Sequence, residues 1–179
     1  MSLITTYKGH HFDPMSPKDD LIDIDDIAHA LSLQCRGNGQ VTEFFSVGQH
    51  CILCCREALS EDFSPRMALI CLLHDAGEAY LSDVPRPLKE NMPGYVECEN
   101  NLIDAIYKKF LGSSITPGEE KILKIIDDAY LWYDLKLLLN DEPITPEPDV
   151  GIKPRYGFRP FKETEDEYLQ LFNELNKKL

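Results

Sequence analysis

The stretch SPRMALICLLHDAGE, residues 64–78, constrains the fold more than any other part of the chain. Ser64 followed by Pro65 is a helix start, because the hydroxyl can cap free backbone N–H groups and proline needs no donor at the first helical position. Residues 67–73, MALICLL, are apolar all round, so the helix they form has no face for water and must be enclosed by other elements.

The rest of the sequence supplies enclosing elements of the same kind. Apolar residues recur at helical rather than alternating spacing, and Pro and Gly clusters separate the segments. The pattern predicts helices over residues 24–35, 46–59, 64 to about 82, 90–111, 116–140 and 162–179. The second carries the stripe Val47, Cys51, Cys54, Cys55 and Ala58, and the last carries Tyr168, Leu171, Phe172, Leu175 and Leu179. Thr116 with Glu119 reads as a capping box. No strand-like alternation and no repeat is apparent. The expectation is an all-α bundle of about six helices in a single domain over residues 1–179. Residues 1–23 form an extended leader, 24–138 the core, and 140–161, with five prolines, a lid or an oligomer contact.

Lys and Arg number 18 against 31 Asp and Glu, a net charge of −13 that repels the backbone of DNA or RNA. Binding to a nucleic-acid polymer is therefore disfavoured. No apolar run is long enough for a membrane span, and the start MSLITTYKGHHFDP lacks the basic-then-apolar pattern of a signal peptide. A cytoplasmic protein is expected, with its six cysteines as thiols.

The apolar run ends in His74, Asp75 and Glu78, ionisable groups that are costly on a buried element. On one continuous helix Glu78 falls a turn beyond His74 on the same face, with Asp75 turned by about 100°. A divalent metal would offset the desolvation, since imidazole and carboxylate are ordinary ligands. His50 sits on the apolar stripe of the second helix between Val47 and Cys54. In the fifth helix Asp127 lies on the stripe Leu123, Leu131, Leu135 and Leu138, while Asp128 is placed to pair with Lys124. Asp127 is the preferred ligand, with its neighbour Asp128 the alternative. His29 reads as packing or hydrogen bonding, His10 and His11 as exposed, and Cys51, Cys54 and Cys55 as core. Tyr130, Trp132 and Tyr133 read as core aromatics rather than base-stacking ones.

The order His50, His74-Asp75, Asp127 resembles the H…HD…D signature of the HD-domain phosphohydrolases. DIAHALSLQCR, FFSVGQH and LLHDAGEAYLSDVPRPLK resemble the branch containing bacterial 5′-deoxynucleotidases and phage deoxynucleoside triphosphate hydrolases. The likeness covers roughly residues 24–138. Two places depart from it: Gly37-Asn38-Gly39 after Arg36, where an aromatic or bulky residue is usual, and Gly48-Gln49 before His50.

The resemblance implies a helical HD fold in which His50, His74, Asp75 and Asp127 hold one divalent metal, cobalt, manganese, zinc or magnesium. By the same likeness Glu78 positions or deprotonates the attacking water, Asp83 accepts from the sugar 3′-hydroxyl, and Arg36 and Lys89, with Arg86 a weaker candidate, hold phosphate. The implied activity is a 5′-deoxynucleotidase on deoxynucleoside monophosphates. The alternatives are a deoxynucleoside triphosphate triphosphohydrolase and a non-catalytic nucleotide sensor. Missing histidines between the HD pair and Asp127 disfavour the two-metal cyclic-nucleotide phosphodiesterases of the wider superfamily. Homodimers or larger homo-oligomers are implied as well.

Overall fold

A computed structural model describes residues 3–179 of the chain. Six helices of nine or more residues carry the fold: α1 (Ile24–Leu33), α2 (Val47–Ser60), α3 (Pro65–Leu73), α6 (Tyr95–Leu111), α7 (Pro117–Tyr133) and α8 (Phe161–Asn176). Two four-residue helices, α4 (Glu78–Leu81) and α5 (Arg86–Lys89), lie between α3 and α6. The protein is all-α apart from one small hairpin, β1 (Ile4–Thr5) paired antiparallel with β2 (His11–Phe12).

Every residue from 67 to 73 is at most 3% exposed, and α3 is the central element. It packs against α2, α6, α7 and α8, while α1 closes the remaining side by contacting both α2 and α8. Each large apolar side chain enclosed in this way contributes about 1.5–3 kcal/mol. Tyr168 on α8 takes its hydroxyl into this core, where it donates to the Leu72 carbonyl at 2.7 Å and leaves no polar atom unsatisfied.

The two departures noted in the sequence have local causes. A Cβ on Gly48 would come within 3.2 Å of the Leu31 backbone and of Thr164 Cγ2, so glycine lets α2 lie close to α1 and α8. Gln49 completes a capping box with Ser46, each accepting from the other's backbone N–H at 3.0 and 3.1 Å. Gly37 and Asn38 both adopt left-handed backbone, at φ 58° and 54°, in the 3₁₀ turn Arg36–Gly39. Glycine takes that region freely and asparagine tolerates it.

Several expected boundaries shift. The leader is not simply extended; it forms the hairpin and a 3₁₀ turn at Asp19–Leu21, and Phe12 is fully buried with its ring stacked on Tyr80 at 4.3 Å. Two-residue strands are too short to show alternation, which is why the sequence predicts none. Residues 1 and 2 of the expected leader lie outside the described residues. The fourth long helix begins at Tyr95 rather than near residue 90, behind left-handed Gly94. The fifth becomes a π-helical turn, Asp134–Leu138, at its end. Residues 140–160 have no helix, as their prolines require, and are held to the core by side chains of α2 and α7.

Candidate metal centre and its cavity

Three elements bring four side chains together. His50 lies on α2, His74 and Asp75 follow α3, and Asp127 lies on α7. His50 Nε2 is 3.1 Å from Asp127 Oδ1 and 4.0 Å from Asp75 Oδ2. His74 Nε2 is 3.3 Å from Asp75 Oδ2 and 3.6 Å from Asp127 Oδ1. Ligand bonds of about 2.1 Å put neighbouring donors of a metal about 3.0–3.4 Å apart, and the imidazole–carboxylate distances run from that spacing upward; the donors fall into two groups that share His74, one with His50, Cys54 and Asp127 and one with Cys51 and Asp75. This buried His, Cys and Asp group could bind a metal ion.

The histidine tautomers suit ligation. His74 Nδ1 donates to the Cys71 carbonyl at 2.8 Å, which leaves Nε2 as the ring nitrogen that faces the carboxylates. That Nε2 is buried with no hydrogen-bond partner of its own. His50 presents Nε2 to the same point and turns Nδ1 toward Asp134 Oδ2 at 3.6 Å. Burial pushes the Asp75 and Asp127 carboxyls up, but the facing imidazoles, and Arg36 beside Asp75, outweigh it and hold both below the usual carboxylate range.

Asp128 instead pairs with Lys124 at 2.8 Å on the outer face of α7, as its spacing predicts. The cysteines are free thiols. Cys51, Cys54 and Cys55 are fully buried in the core, and the sulfurs of Cys51 and Cys54 also border the donor group, with Cys54 Sγ 3.6 Å from His50 Nε2. His29 meets Glu165 at 3.0 Å and stacks on Tyr7. His11 is exposed; His10 is half-buried against Asp23 at 3.7 Å, a hairpin contact the sequence did not indicate.

The expected geometry of His74 and Glu78 needs correction. They do not share the face of one continuous helix, because α3 ends at Leu73 and residues 74–77 form a turn. Backbone bonds of the 3₁₀ spacing run through it, from Ala76 N to Leu73 O at 2.8 Å and from Glu78 N to Asp75 O at 2.9 Å. Glu78 and Asp75 both line a cavity of about 360 Å³. Glu78 is buried, its Oε2 has no partner, and burial together with the nearby Asp75 and Asp83 charges pushes its carboxyl up.

Arg36, Asp83, Arg86, Lys89 and Asp127 line the same cavity, with Leu131, Leu135 and Leu138 as an apolar side. Asp83 Oδ2 accepts from the Gly37 N–H at 2.9 Å, which ties the left-handed turn to the cavity and leaves Oδ1 free. Lys89 pairs with Glu99 at 2.6 Å. Arg36 is clasped by two carboxylates, Asp75 at 3.1 Å and Asp134 at 3.2 Å, which raise its pKa against the opposing effect of burial. Three of its five N–H donors are used in this way, through Nε, Nη1 and Nη2.

Two residues escaped the sequence reading. Asp134, only 3% exposed, joins Arg36 to His50, and Tyr156 donates its hydroxyl to Asp134 at 2.8 Å. Asp134 lies seven residues after Asp127 and therefore on the same helical stripe, a signal present in the sequence. Tyr156 comes from the proline-rich segment, where no periodicity points to it. Tyr130 and Tyr133 are core, as expected, and with Trp132 they hold that segment through bonds to Ile152 O, Pro148 O and Thr145 O.

No family model matches the chain. It is 42% identical over 114 residues to the uncharacterized protein YfdR of Escherichia coli, covering 63% of this chain and 60% of that one. It is 36% identical over 120 residues to an uncharacterized protein of Rhodobacter capsulatus, with the same 63% and 60% covered. The chain thus spans 60% of the length of these curated relatives, whose names carry no activity. No helix among the described residues is long and apolar enough to cross a membrane.

Proposed function

We propose that this chain is an HD-type, metal-dependent phosphohydrolase that releases phosphate from deoxynucleoside monophosphates. The observation that carries this reading is the meeting of two imidazole Nε2 atoms with two carboxylates at 3.1–4.0 Å, beside a cavity lined by both carboxylates, a partnerless carboxyl and cations. His50, His74, Asp75 and Asp127 would hold one divalent ion, of cobalt, manganese, zinc or magnesium. When bound, the ion supplies an activated water at neutral pH and neutralises charge on phosphorus oxygens.

The chain's own residues do the rest. Glu78, with Oε2 unpartnered, orients a water or takes its proton, a task suited to a carboxyl whose pKa is raised. Asp83 keeps one oxygen for a sugar hydroxyl, and the two unused N–H donors of Arg36, with Lys89 and Arg86, hold phosphate oxygens. Leu131, Leu135 and Leu138 give the nucleoside an apolar surface. Three cations around one cavity also favour a second reading, a longer phosphate tail and triphosphate release.

The test is product analysis with a panel of deoxynucleoside mono- and triphosphates and each of the four metals. Orthophosphate from monophosphates is expected, and triphosphate from triphosphates would favour the second reading. Asp75→Ala should lose metal and turnover together, whereas Glu78→Ala should keep metal and lose turnover. No release with any metal, while nucleotide still binds, would replace hydrolysis by sensing.

A further inference from the structure

The positive charge of this acidic chain is unevenly spread. A second cavity, about 540 Å³, lies over another face of α2, lined by Gln49, Ile52, Leu53 and Arg56 on one helical stripe. Arg155, Lys153 and Arg159 from the proline-rich segment complete its rim, and Glu167 of α8 is the one carboxylate among its lining residues. Four cations against one carboxylate, on a chain of net charge −13, repel one another unless something negative sits between them.

Glu167 does so in part. It pairs with both Arg56 and Arg159, and Glu163 Oε2 stands 3.8 Å from Arg159 Nε, so Glu167 does not neutralise the pair unaided. Instead it fixes the two forks on either side of itself, which are 54% and 34% exposed and keep donors for a ligand. Lys153 reaches Glu147 at 2.8 Å. Arg155 is exposed and makes no ion pair among the described residues. Beneath the cations the floor is apolar, with Phe45 3% and Ile52 4% exposed.

We propose that this cavity binds a small multivalent phosphate anion, a di- or triphosphate group, at a site separate from the metal-side cavity. Guanidinium forks match phosphate oxygens in pairs, and a cavity of this volume suits a small molecule. The acidic remainder of the surface turns away a polymer that must lie across it. Phe45 also meets Tyr156 edge-on at 4.9 Å, and Tyr156 bonds to Asp134, so the floor of this cavity touches the residues that hold His50 and Arg36.

The probe is sodium triphosphate, titrated into the full chain at fixed ionic strength and followed by calorimetry and by amide resonances. Binding is expected, with shifts in residues 151–159, and Arg155→Glu should weaken it at least tenfold while Arg155→Ala weakens it less. Lys124→Ala, on the outer face of α7 and away from both cavities, should leave this binding unchanged. Sulfate should bind far more weakly. The proposal is overturned by absent binding, by shifts confined to residues 83–89, by equal affinity for sulfate, or by a variant at Arg155 that binds like the native chain. Arg155 is exposed, so a folding defect does not confuse the outcome, and failure here leaves the hydrolase reading untouched.

Discussion

Asp134→Asn separates the charge of the second carboxylate around His50 from its shape. Asp134 Oδ2 meets Arg36 Nη2 at 3.2 Å and Nε at 3.4 Å, and faces His50 Nδ1 at 3.6 Å, while Oδ1 accepts from Tyr156 at 2.8 Å. Asparagine fills the same volume. Its amide oxygen can still accept from Arg36 or from Tyr156, and His50 Nδ1, which at 3.6 Å from Asp134 has no hydrogen-bond partner in the native chain, loses none. What is lost is charge: a bond to a charged group contributes about 1.5–3 kcal/mol and a neutral one about 0.5–1.5. Removing a carboxylate behind a ligating histidine weakens metal binding by about 10–100-fold, or roughly 1.4–2.7 kcal/mol. Competition with a chromophoric chelator measures this directly, for zinc and for manganese. Asp128→Asn, on the exposed Lys124 pair, is the comparison and should change affinity less than about twofold. Native affinity in Asp134→Asn would refute the role of Asp134, and loss in Asp128→Asn would refute the assignment of Asp127.

Glu57 accepts from Gly151 N, Ile152 N and the Tyr130 hydroxyl at 2.8–2.9 Å; the hydroxyl keeps Ile152 O at 3.0 Å as an acceptor, so Glu57→Ala strands two backbone donors and should cost about 2 kcal/mol or more. Faster proteolysis within residues 140–160 should accompany the lower urea midpoint, and unchanged cleavage there would count against this anchoring. Glu119 gives a pH signature: partial burial pushes its carboxyl up, but Arg66 at 2.6 Å and the Thr116 cap outweigh this and lower its pKa in the fold. A lowered folded value means the stabilisation is present above the unfolded pKa, about 4.3, and is lost as pH falls through the folded one. The gap in urea midpoint between native protein and Glu119→Gln should therefore shrink from pH 7 to pH 3, and a gap independent of pH would oppose the assignment.

The helical layout was legible because it depends on local signals. The caps at Ser64 and Thr116 and the enclosed run 67–73 appear where their residue types require. His50 and Asp127 were legible for a related reason, since each interrupts an apolar stripe that must face inward. Asp134 shares that property with Asp127, seven residues on along the expected helix 116–140, but it lies outside the H…HD…D pattern that singled out Asp127. The π-helical turn that begins there, with Leu139 N bonded to Asp134 O at 3.0 Å, depends on tertiary packing and has no local signature. Tyr156 and the basic cavity lie in or beside the proline-rich segment, whose path is set by distant groups such as Glu57 rather than by its own periodicity.

The break after α3 explains why one helix can serve both the core and the site. In a continuous α-helix, four residues turn through about 400°, which leaves Glu78 only about 40° from His74. In 3₁₀ geometry each residue turns through about 120°, so residues three apart eclipse and those four apart separate by about 120°. The bond from Glu78 N to Asp75 O follows the second pattern. Asp75 and Glu78 are thereby aligned toward the cavity, while His74 stays 6% exposed, with Nδ1 anchored to Cys71 O. Tightening one turn lets the apolar run end inside the core, with His74 6% and Glu78 7% exposed, and places Asp75 and Glu78 together on the cavity wall.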